Sequence, residues 1–482
     1  MWMSDNSKFI PVENPNMAET RTAAGIVSVD ERIGSYHQIE ATYTPEQAAE
    51  EASRCLKCPT HWCEKACPAG VPVTDFIAKF RAGDVEGAYQ LIRTRSMLPE
   101  MCSRVCPQEK QCQSNCTRSI RTMAVGIGRL ERYVVEQHYA SGKGETAAPA
   151  TGKCVAIVGS GPSGLGAAQR LLDLGYGVTI FEKNDRAGGL LEYGIPNMKL
   201  EKGIVERKLA SLIAQGAIIK TGISVGKDIS AQELIDGYDA VILAAGTGNA
   251  RKLSLKNSEG VKGIIPAVDY LTGSTKAVLD GAKPDLAAGK NVVIVGGGDT
   301  GNDCVGTALR QGAASITQIE MLPQKTGRQY IFEPHPPRAK EEKHDFSQEE
   351  CRSKFGDPHV YQTTVKEVSA DAVGNLKTIT TIDLEAVYDP HFRLSMKEIP
   401  GSEKVLPCQL LIVAAGFIGP DAALADAFEI GTTQRSNIDA PAYVTSNPKV
   451  FACGDCRTGQ SLVVKAMSDG RDCADAVNAA LK

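Results

Sequence analysis

The sequence has no apolar run approaching the length of a membrane span, no basic block and no charged-then-apolar start. The first absence excludes a transmembrane helix. The second leaves nucleic acid without an electrostatic partner, because the net charge is −4. The third, in MWMSDNSKFIPVENP, predicts no secretory leader and therefore a cytoplasmic chain. What is there is ordinary for a globular protein, with 42% apolar and 23% charged residues. At 482 residues the chain is too long for one core, and about three domains are expected.

Cysteine is plentiful and unevenly spread. Eight of the fifteen fall between Cys55 and Cys116. A disulfide-stapled protein would distribute its pairs, so this density points to metal in a reducing compartment. The first group reads Cys55-x2-Cys58-x4-Cys63-x3-Cys67-Pro68, and the second Cys102-x3-Cys106-Pro107-x4-Cys112-x3-Cys116. Thiolates are the soft ligands iron–sulfur clusters need, and short spacings let one loop wrap a cluster. A cysteine before proline, as at Cys67-Pro68, ligates the other cluster in two-cluster ferredoxins. Structural zinc would favour C-x2-C pairs, and the array holds only one. Farther on, Cys453-x2-Cys456 reads as two small packed residues in preference to a redox disulfide. Cys154, Cys304, Cys351, Cys408 and Cys473 lack ligand spacing.

Lys153 to Lys183 reads as strand, glycine turn, helix and strand. Gly159, Gly161 and Gly164 give G-x-G-x-x-G: the first closes the turn, the second admits a pyrophosphate, and the third lets helix and strand pack. The helix N-terminus offers amides to phosphate, and Glu182 ends the second strand where a carboxylate meets ribose hydroxyls. A purely structural glycine turn would not need that acid. The pattern recurs 137 residues later as Gly296, Gly298 and Gly301, with Glu320 in the matching place.

These features predict an α/β protein. Two Rossmann-type domains, one inserted in the other, follow an α-helical iron–sulfur domain. Residues 1–35 are expected to form a poorly structured arm and 36–146 the helical domain. A linker of small residues precedes the first nucleotide domain, at 150–255 and 418–482, with the second at 256–417 between its halves. DAVILAAGT (239–247) and QLLIVAAGF (409–417) are the expected crossing points. A helix over 45–54 is predicted with Thr44 as N-cap and Pro45 at the first helical position. Others are predicted over 73–82, 85–95 and 126–139.

Taken in order, CLKCPTHWCEKACP, MCSRVCPQEKQCQSNC, GIGRLERY, GSGPSGL, GGLLEYGIPNMKLEK, GGGDTGNDC and CGDCRTGQSLVVKAMSDGR resemble the family of glutamate synthase small (beta) subunits. Related NAD(P)H-dependent iron–sulfur flavoproteins, including the N-terminal half of dihydropyrimidine dehydrogenase, share the pattern. The resemblance implies FAD at the first unit, held by Gly159, Ser160, Gly161, Gly164, Glu182 and Lys183. Gly189 and Leu190 would continue along the flavin with Gly246, Gly454 and Asp455. Gln460, Ser461 and Leu462 would begin a helix whose amides face the flavin ring. For Asp455 the plain alternative is a helix cap.

NAD(P)H is implied at the second unit, on Gly296, Gly298, Asp299, Thr300, Gly301 and Glu320. Glu320 lacks the arginines that meet a 2′-phosphate, and an acid there favours NADH over NADPH. Lys325 or Arg328 folding back would reverse that preference. Two 4Fe-4S clusters are implied as well, and the resemblance allows a non-cysteine ligand from the helix after the last cysteine, here Glu131. The sets it suggests are Cys55, Cys58 and Cys63 with Glu131, and Cys67, Cys106, Cys112 and Cys116. Cys102 competes with Glu131 as the eighth ligand, and a solvated helix residue is the plain alternative for Glu131.

The implied activity is a relay from NADH through FAD and the clusters to a large (alpha) subunit carrying FMN, for glutamate synthesis from glutamine and 2-oxoglutarate. No side-chain acid or base is assigned, because hydride transfer needs positioning first. A ferredoxin:NAD(P)H oxidoreductase subunit, a non-catalytic FAD/iron–sulfur electron carrier and a disulfide reductase are the alternatives.

Overall fold

A computed structural model describes residues 14–324, 345–391 and 393–482. Between Pro45 and Ala140 the chain is helical, with helices Pro45–Ser53, Val73–Arg81, Val85–Arg93, Pro99–Val105 and Ile127–Ala140 as the main pieces. The first is set by a capping box: Thr44 accepts from the Gln47 amide while the Gln47 side chain accepts from the Thr44 amide. Ser53 ends it, one residue short of the predicted boundary.

The strands begin with β1 (Cys154–Val158), β2 (Gly177–Glu182), β3 (Ile218–Thr221) and β4 (Ala240–Leu243). The chain then builds β5 (Ile264–Pro266), β6 (Asn291–Val295), β7 (Ser315–Glu320) and β8 (His359–Tyr361). Next come β9 (Thr363–Ala370), β10 (Leu376–Tyr388), β11 (Leu394–Glu398) and β12 (Lys404–Pro407), followed by β13 (Leu410–Val413) and β14 (Val450–Ala452). Two five-stranded parallel sheets result, ordered β14-β4-β1-β2-β3 and β5-β13-β6-β7-β8. Both follow one plan, and only the outermost strand beside β4 or β13 differs in its place along the chain. Parallel strands buried on both faces must be apolar throughout, as Val155, Ile157, Ile180 and Ile242 are. Strands β9 to β12 form a separate antiparallel sheet.

The two crossings between the units run side by side. Arg251 N donates to Gly416 O at 2.8 Å and Ile418 N to Asn249 O at 2.8 Å, around an antiparallel bridge between Ala250 and Phe417. On the other side, one hydrophobic core runs unbroken from Ala52, Phe76, Ile92 and Val134 of the helical part to Ile157, Leu171 and Met467 of the first sheet's layer. The helical part is thereby fixed to the first nucleotide unit.

Residues 14–35 are not the loose arm expected from sequence. They lie across the molecule as a strap, held by side chains from distant places. Arg118 Nη1 donates to Asn16 O at 2.9 Å, and the Arg54 guanidinium reaches Ala18 O. Helix Val29–Ile33 packs on helix Phe346–Phe355, with buried Arg32 paired to Glu350 at 3.0 Å. Arg310 Nε donates to Ser35 O at 2.7 Å. Sequence reading misses this because the segment has few apolar residues and takes its order from polar partners hundreds of residues away.

Candidate functional site

The first glycine turn is forced by its surroundings. Gly159 has φ +104°, and a Cβ there would lie 2.5 Å from Ala244 O at the end of β4. Gly161 faces open space at the N-terminus of helix Pro162–Asp173. Gly189, at φ +56°, brings its backbone so close that a Cβ would stand 2.8 Å from Gly161 Cα. Only glycine lets these two loops meet, and the open side of this cradle leaves the first amides of the helix without intrahelical acceptors. Glu182 is buried, and its Oε2 accepts from Ser160 N at 3.1 Å and Ser160 Oγ at 2.5 Å. Its Oε1 accepts from Asn184 N at 2.9 Å. Ser160 Oγ in turn accepts from Gly188 N at 2.8 Å. Lys183 and Leu190 lie exposed beside this cradle.

The second unit repeats the backbone arrangement, with Gly297 in the place of Ser160 and so without the serine hydroxyl's bonds. Gly296 has φ +126° with its would-be Cβ 2.5 Å from Ala414 O, and Gly298 opens onto space at the head of helix Asp299–Arg310. Glu320 Oε2 accepts from Gly297 N at 2.9 Å and Oε1 from Leu322 N at 2.9 Å. Both acids are therefore held at the turn by backbone amides, each oxygen accepting from one. Asp299, Thr300 and Gly301 form the first turn of that helix. Lys325 and Arg328 lie outside the described residues.

Behind this second cradle sits a polar network that the sequence did not announce. Gln318 in β7 takes the place Ile180 has in β2, and its Nε2 donates to Gly296 O at 2.9 Å and Asn302 Oδ1 at 3.0 Å. Lys199, in the GIPNMKLEK segment, pairs with Asp303 across the two units. Burial pushes the Asp303 carboxyl up to about 6 even against Lys199.

The C-terminal segment closes the first cradle. Gly454 N donates to Asp469 Oδ2 at 2.6 Å, and Ser461 Oγ donates to Asp455 Oδ1 at 2.7 Å. Burial raises the Asp455 carboxyl against that bond. Gln460 Oε1 accepts from Phe417 N at 2.9 Å, beside the second crossing. Leu462 is the N-cap of helix Val463–Leu481, so the free amides of that 19-residue helix start next to Ser461. Gly246, at φ +68°, lies in the loop between β4 and the first crossing. Cys453 and Cys456 are fully buried free thiols, and Cys453 is hydrogen-bonded to Cys473.

All eight clustered cysteines are free and gather in two groups. Cys55, Cys58, Cys63 and Cys116 line one gap, together with Trp62, Ile77 and Val125. Cys67, Cys106 and Cys112 face Glu131. The expected sets are thus corrected. Cys116, not Glu131, stands with Cys55, Cys58 and Cys63, because the chain returns from Cys112 across the first loop. Glu131 Oε1 is sealed from solvent without a hydrogen-bond partner, and burial together with Glu100 raises its carboxyl to about 8. Cys102 lies behind Cys106, hydrogen-bonded to it. Burial pushes the Cys55 thiol up to about 12 and raises Cys63, Cys67, Cys112 and Cys116 as well.

Crowded thiols and an orphaned carboxylate oxygen are a donor set that a cationic centre would satisfy. One zinc ion would need its donors within about 2.3 Å of a single point. Among the described residues, no three His, Cys, Asp or Glu side chains could hold an ion that way.

Two glycine-turn nucleotide units joined by paired crossings, the first fixed to a cysteine-rich helical domain, define an NAD(P)H-dependent flavoprotein oxidoreductase. Residues 153–470 match the family described as pyridine nucleotide-disulphide oxidoreductase, and residues 32–143 match dihydropyrimidine dehydrogenase domain II, 4Fe-4S cluster. The chain is 38% identical to the glutamate synthase (NADPH) small chain of Bacillus subtilis over 465 residues, covering 93% of this chain and 94% of that one. It is 38% identical to the glutamate synthase (NADH) of Schizosaccharomyces pombe, covering 92% of this chain and 22% of that longer one. The fold is shared with Mycobacterium tuberculosis FprA in complex with NADPH, at TM-score 0.54 and 19% identity, over 69% of this chain and 85% of that one. The chain belongs to the glutamate synthase small-chain family. Among the described residues no helix is long and apolar enough to cross a membrane.

Proposed function

We propose that this chain is the electron-input subunit of a cytoplasmic glutamate synthase. It oxidises NAD(P)H, with NADH preferred, and sends the electrons through two 4Fe-4S clusters to a large subunit carrying FMN. The observation that carries this reading is the unbroken core that joins the cysteine domain to the first nucleotide unit. Held by this first unit, FAD would supply hydride acceptance and single-electron release, chemistry that no side chain here supplies.

The residues bind and orient. Gly159 and Ser160 shape the turn, Gly161 and Gly164 at the helix start present amides to the FAD pyrophosphate, and Glu182 accepts from its ribose. Gly296 shapes the matching turn, and Gly298 and Gly301 at the next helix start do the same for the nicotinamide nucleotide. Glu320, anchored by Gly297 N, accepts from a free 2′-hydroxyl and repels a 2′-phosphate. The N-terminal amides of helix Val463–Leu481 favour negative charge on a reduced flavin. Cys55, Cys58, Cys63 and Cys116 hold one cluster, and Cys67, Cys106 and Cys112 hold the other with Glu131 as its fourth ligand.

Anaerobically purified chain is expected to bleach its flavin on NADH addition and to reduce an artificial acceptor. It is expected to make no glutamate from glutamine and 2-oxoglutarate until the large chain is added. Glutamate formed by this chain alone would overturn the reading.

A further inference from the structure

The charge of the chain is unevenly placed. Between Arg54 and Arg121 there are eleven Lys and Arg against six Asp and Glu, a local excess of five in a chain whose net charge is −4. Exposure sharpens the imbalance. Of the charged residues in this stretch, Lys65, Lys79, Arg81, Arg95, Lys110 and Arg121 are exposed cations, and Asp75 is the one exposed acid. Of these cations Lys79 is paired with Asp84 at 2.9 Å, while Glu64 is turned to Thr74, accepting from its Oγ1 at 2.7 Å.

Lys57, Lys65 and Arg81 lie around the point where one cysteine group reaches solvent. Trp62, 42% exposed, lines the gap of Cys55, Cys58, Cys63 and Cys116 and carries Lys65 Nζ 5.4 Å from its ring centroid. Beside it an open hollow of about 370 Å³ is bordered by Cys55, Lys57, Thr74 and Arg81. Arg121 follows the turn of Cys116 to Arg118 on the other edge, its amide bonded to Arg118 O. An exposed aromatic ringed by cations is the composition of an interface centre with a charged rim.

We infer that this face, centred on Trp62 and rimmed by Lys57, Lys65, Arg81 and Arg121, is where the large subunit docks, presenting a carboxylate-rich surface over its own redox centre. The inference rests on the reading of the chain as an electron-input subunit, and it names the surface through which that subunit delivers.

The test uses the anaerobically purified holoprotein and the purified large chain of the same organism, with binding followed by interferometry at several salt concentrations. Lys57→Glu with Lys65→Glu, and Arg121→Glu separately, are compared with Lys227→Glu and Lys283→Glu, which lie on exposed surface of the nucleotide units. Arg81 is left intact because its guanidinium donates to Cys55 O at 3.3 Å. Iron content and the visible spectrum are expected to be the same in all variants. The patch reversals are expected to weaken binding on the order of tenfold or more and to flatten its salt dependence, while the two controls bind as the unsubstituted chain does. Patch reversals that bind normally, or controls that weaken binding equally, would overturn the docking face alone. No binding by the unsubstituted chain would remove both the docking face and the functional reading beneath it.

Discussion

Nη1 of Arg471 donates to the carbonyl oxygen of Ala69 at 3.1 Å, two residues beyond Cys67. The same nitrogen donates to Arg95 O at 2.5 Å. Arg471 belongs to helix Val463–Leu481, so one buried guanidinium ties the helix that starts beside the first cradle to the loop that carries a cysteine of the second group. Arg471→Met keeps the bulk and strands both carbonyls, at a cost of roughly 1–3 kcal/mol. Thermal unfolding is expected to begin several degrees lower. In stopped flow, flavin bleaching by NADH is expected to keep its rate while later reduction of the clusters slows. Equal slowing of both phases would place the residue's role elsewhere.

Glu131 and Cys102 can be told apart as ligands. Glu131→Ala is expected to lower iron and sulfide content by about one cluster's worth, and Glu131→Cys to restore it. Cys102→Ser is expected to leave iron content and the cluster spectra unchanged, since its thiol lies behind Cys106. Loss of a cluster in Cys102→Ser with none in Glu131→Ala would reverse the assignment.

Glu320 sets the choice between nucleotides. Glu320→Gln removes a charge-assisted acceptor worth roughly 1.5–3 kcal/mol, so kcat/KM for NADH is expected to fall about ten- to a hundredfold. With the repelling charge gone, NADPH is expected to suffer much less, and the ratio of the two kcat/KM values shows it. An unchanged ratio would mean that specificity lies in another segment.

Acid should loosen the cysteine domain from the first nucleotide unit. Burial pulls the Glu136 carboxyl up, but hydrogen bonds and charges from Arg207 and Arg104 win and hold it down at about 2. Burial likewise opposes, and Lys208 and Arg93 outweigh it, at Glu145, also about 2. Both carboxyls have folded values below their ordinary value near 4.5. The stability they contribute is therefore present above that value and lost as pH falls toward 2. Unfolding midpoints in urea are expected to drop through that window, and Glu136→Gln to flatten the drop. A midpoint independent of pH between 4.5 and 2 would contradict the assignment.

Much of this was legible in advance. The glycine turns and their terminal acids announce themselves because each needs a specific residue at a fixed spacing, and Thr44 and Gln47 mark a helix start by local bonding alone. The predicted helices over 73–82, 85–95 and 126–139 appear within two residues of those bounds. What stayed hidden depends on loops meeting in space. Spacing says that Cys116 is a ligand candidate, yet not that it returns to the loop of Cys55. The strap from Asn14 was read as loose because its order comes from Arg118, Arg54 and Glu350, partners that no local pattern reveals. Gln318 was hidden for the opposite reason: it sits where a buried strand normally carries an aliphatic residue.

The place of β14 has a consequence for how the molecule is made. That strand pairs with β4, yet everything from β5 to β13 is synthesised between them. The first sheet therefore cannot be completed until Val450–Ala452 has left the ribosome, long after the second sheet has all its strands. The inserted unit is expected to fold first and to carry the two halves of its host together, since domains generally fold as units. Cluster insertion meets the same timetable, because the core behind the cysteine loops includes Met467 from the far end of the chain.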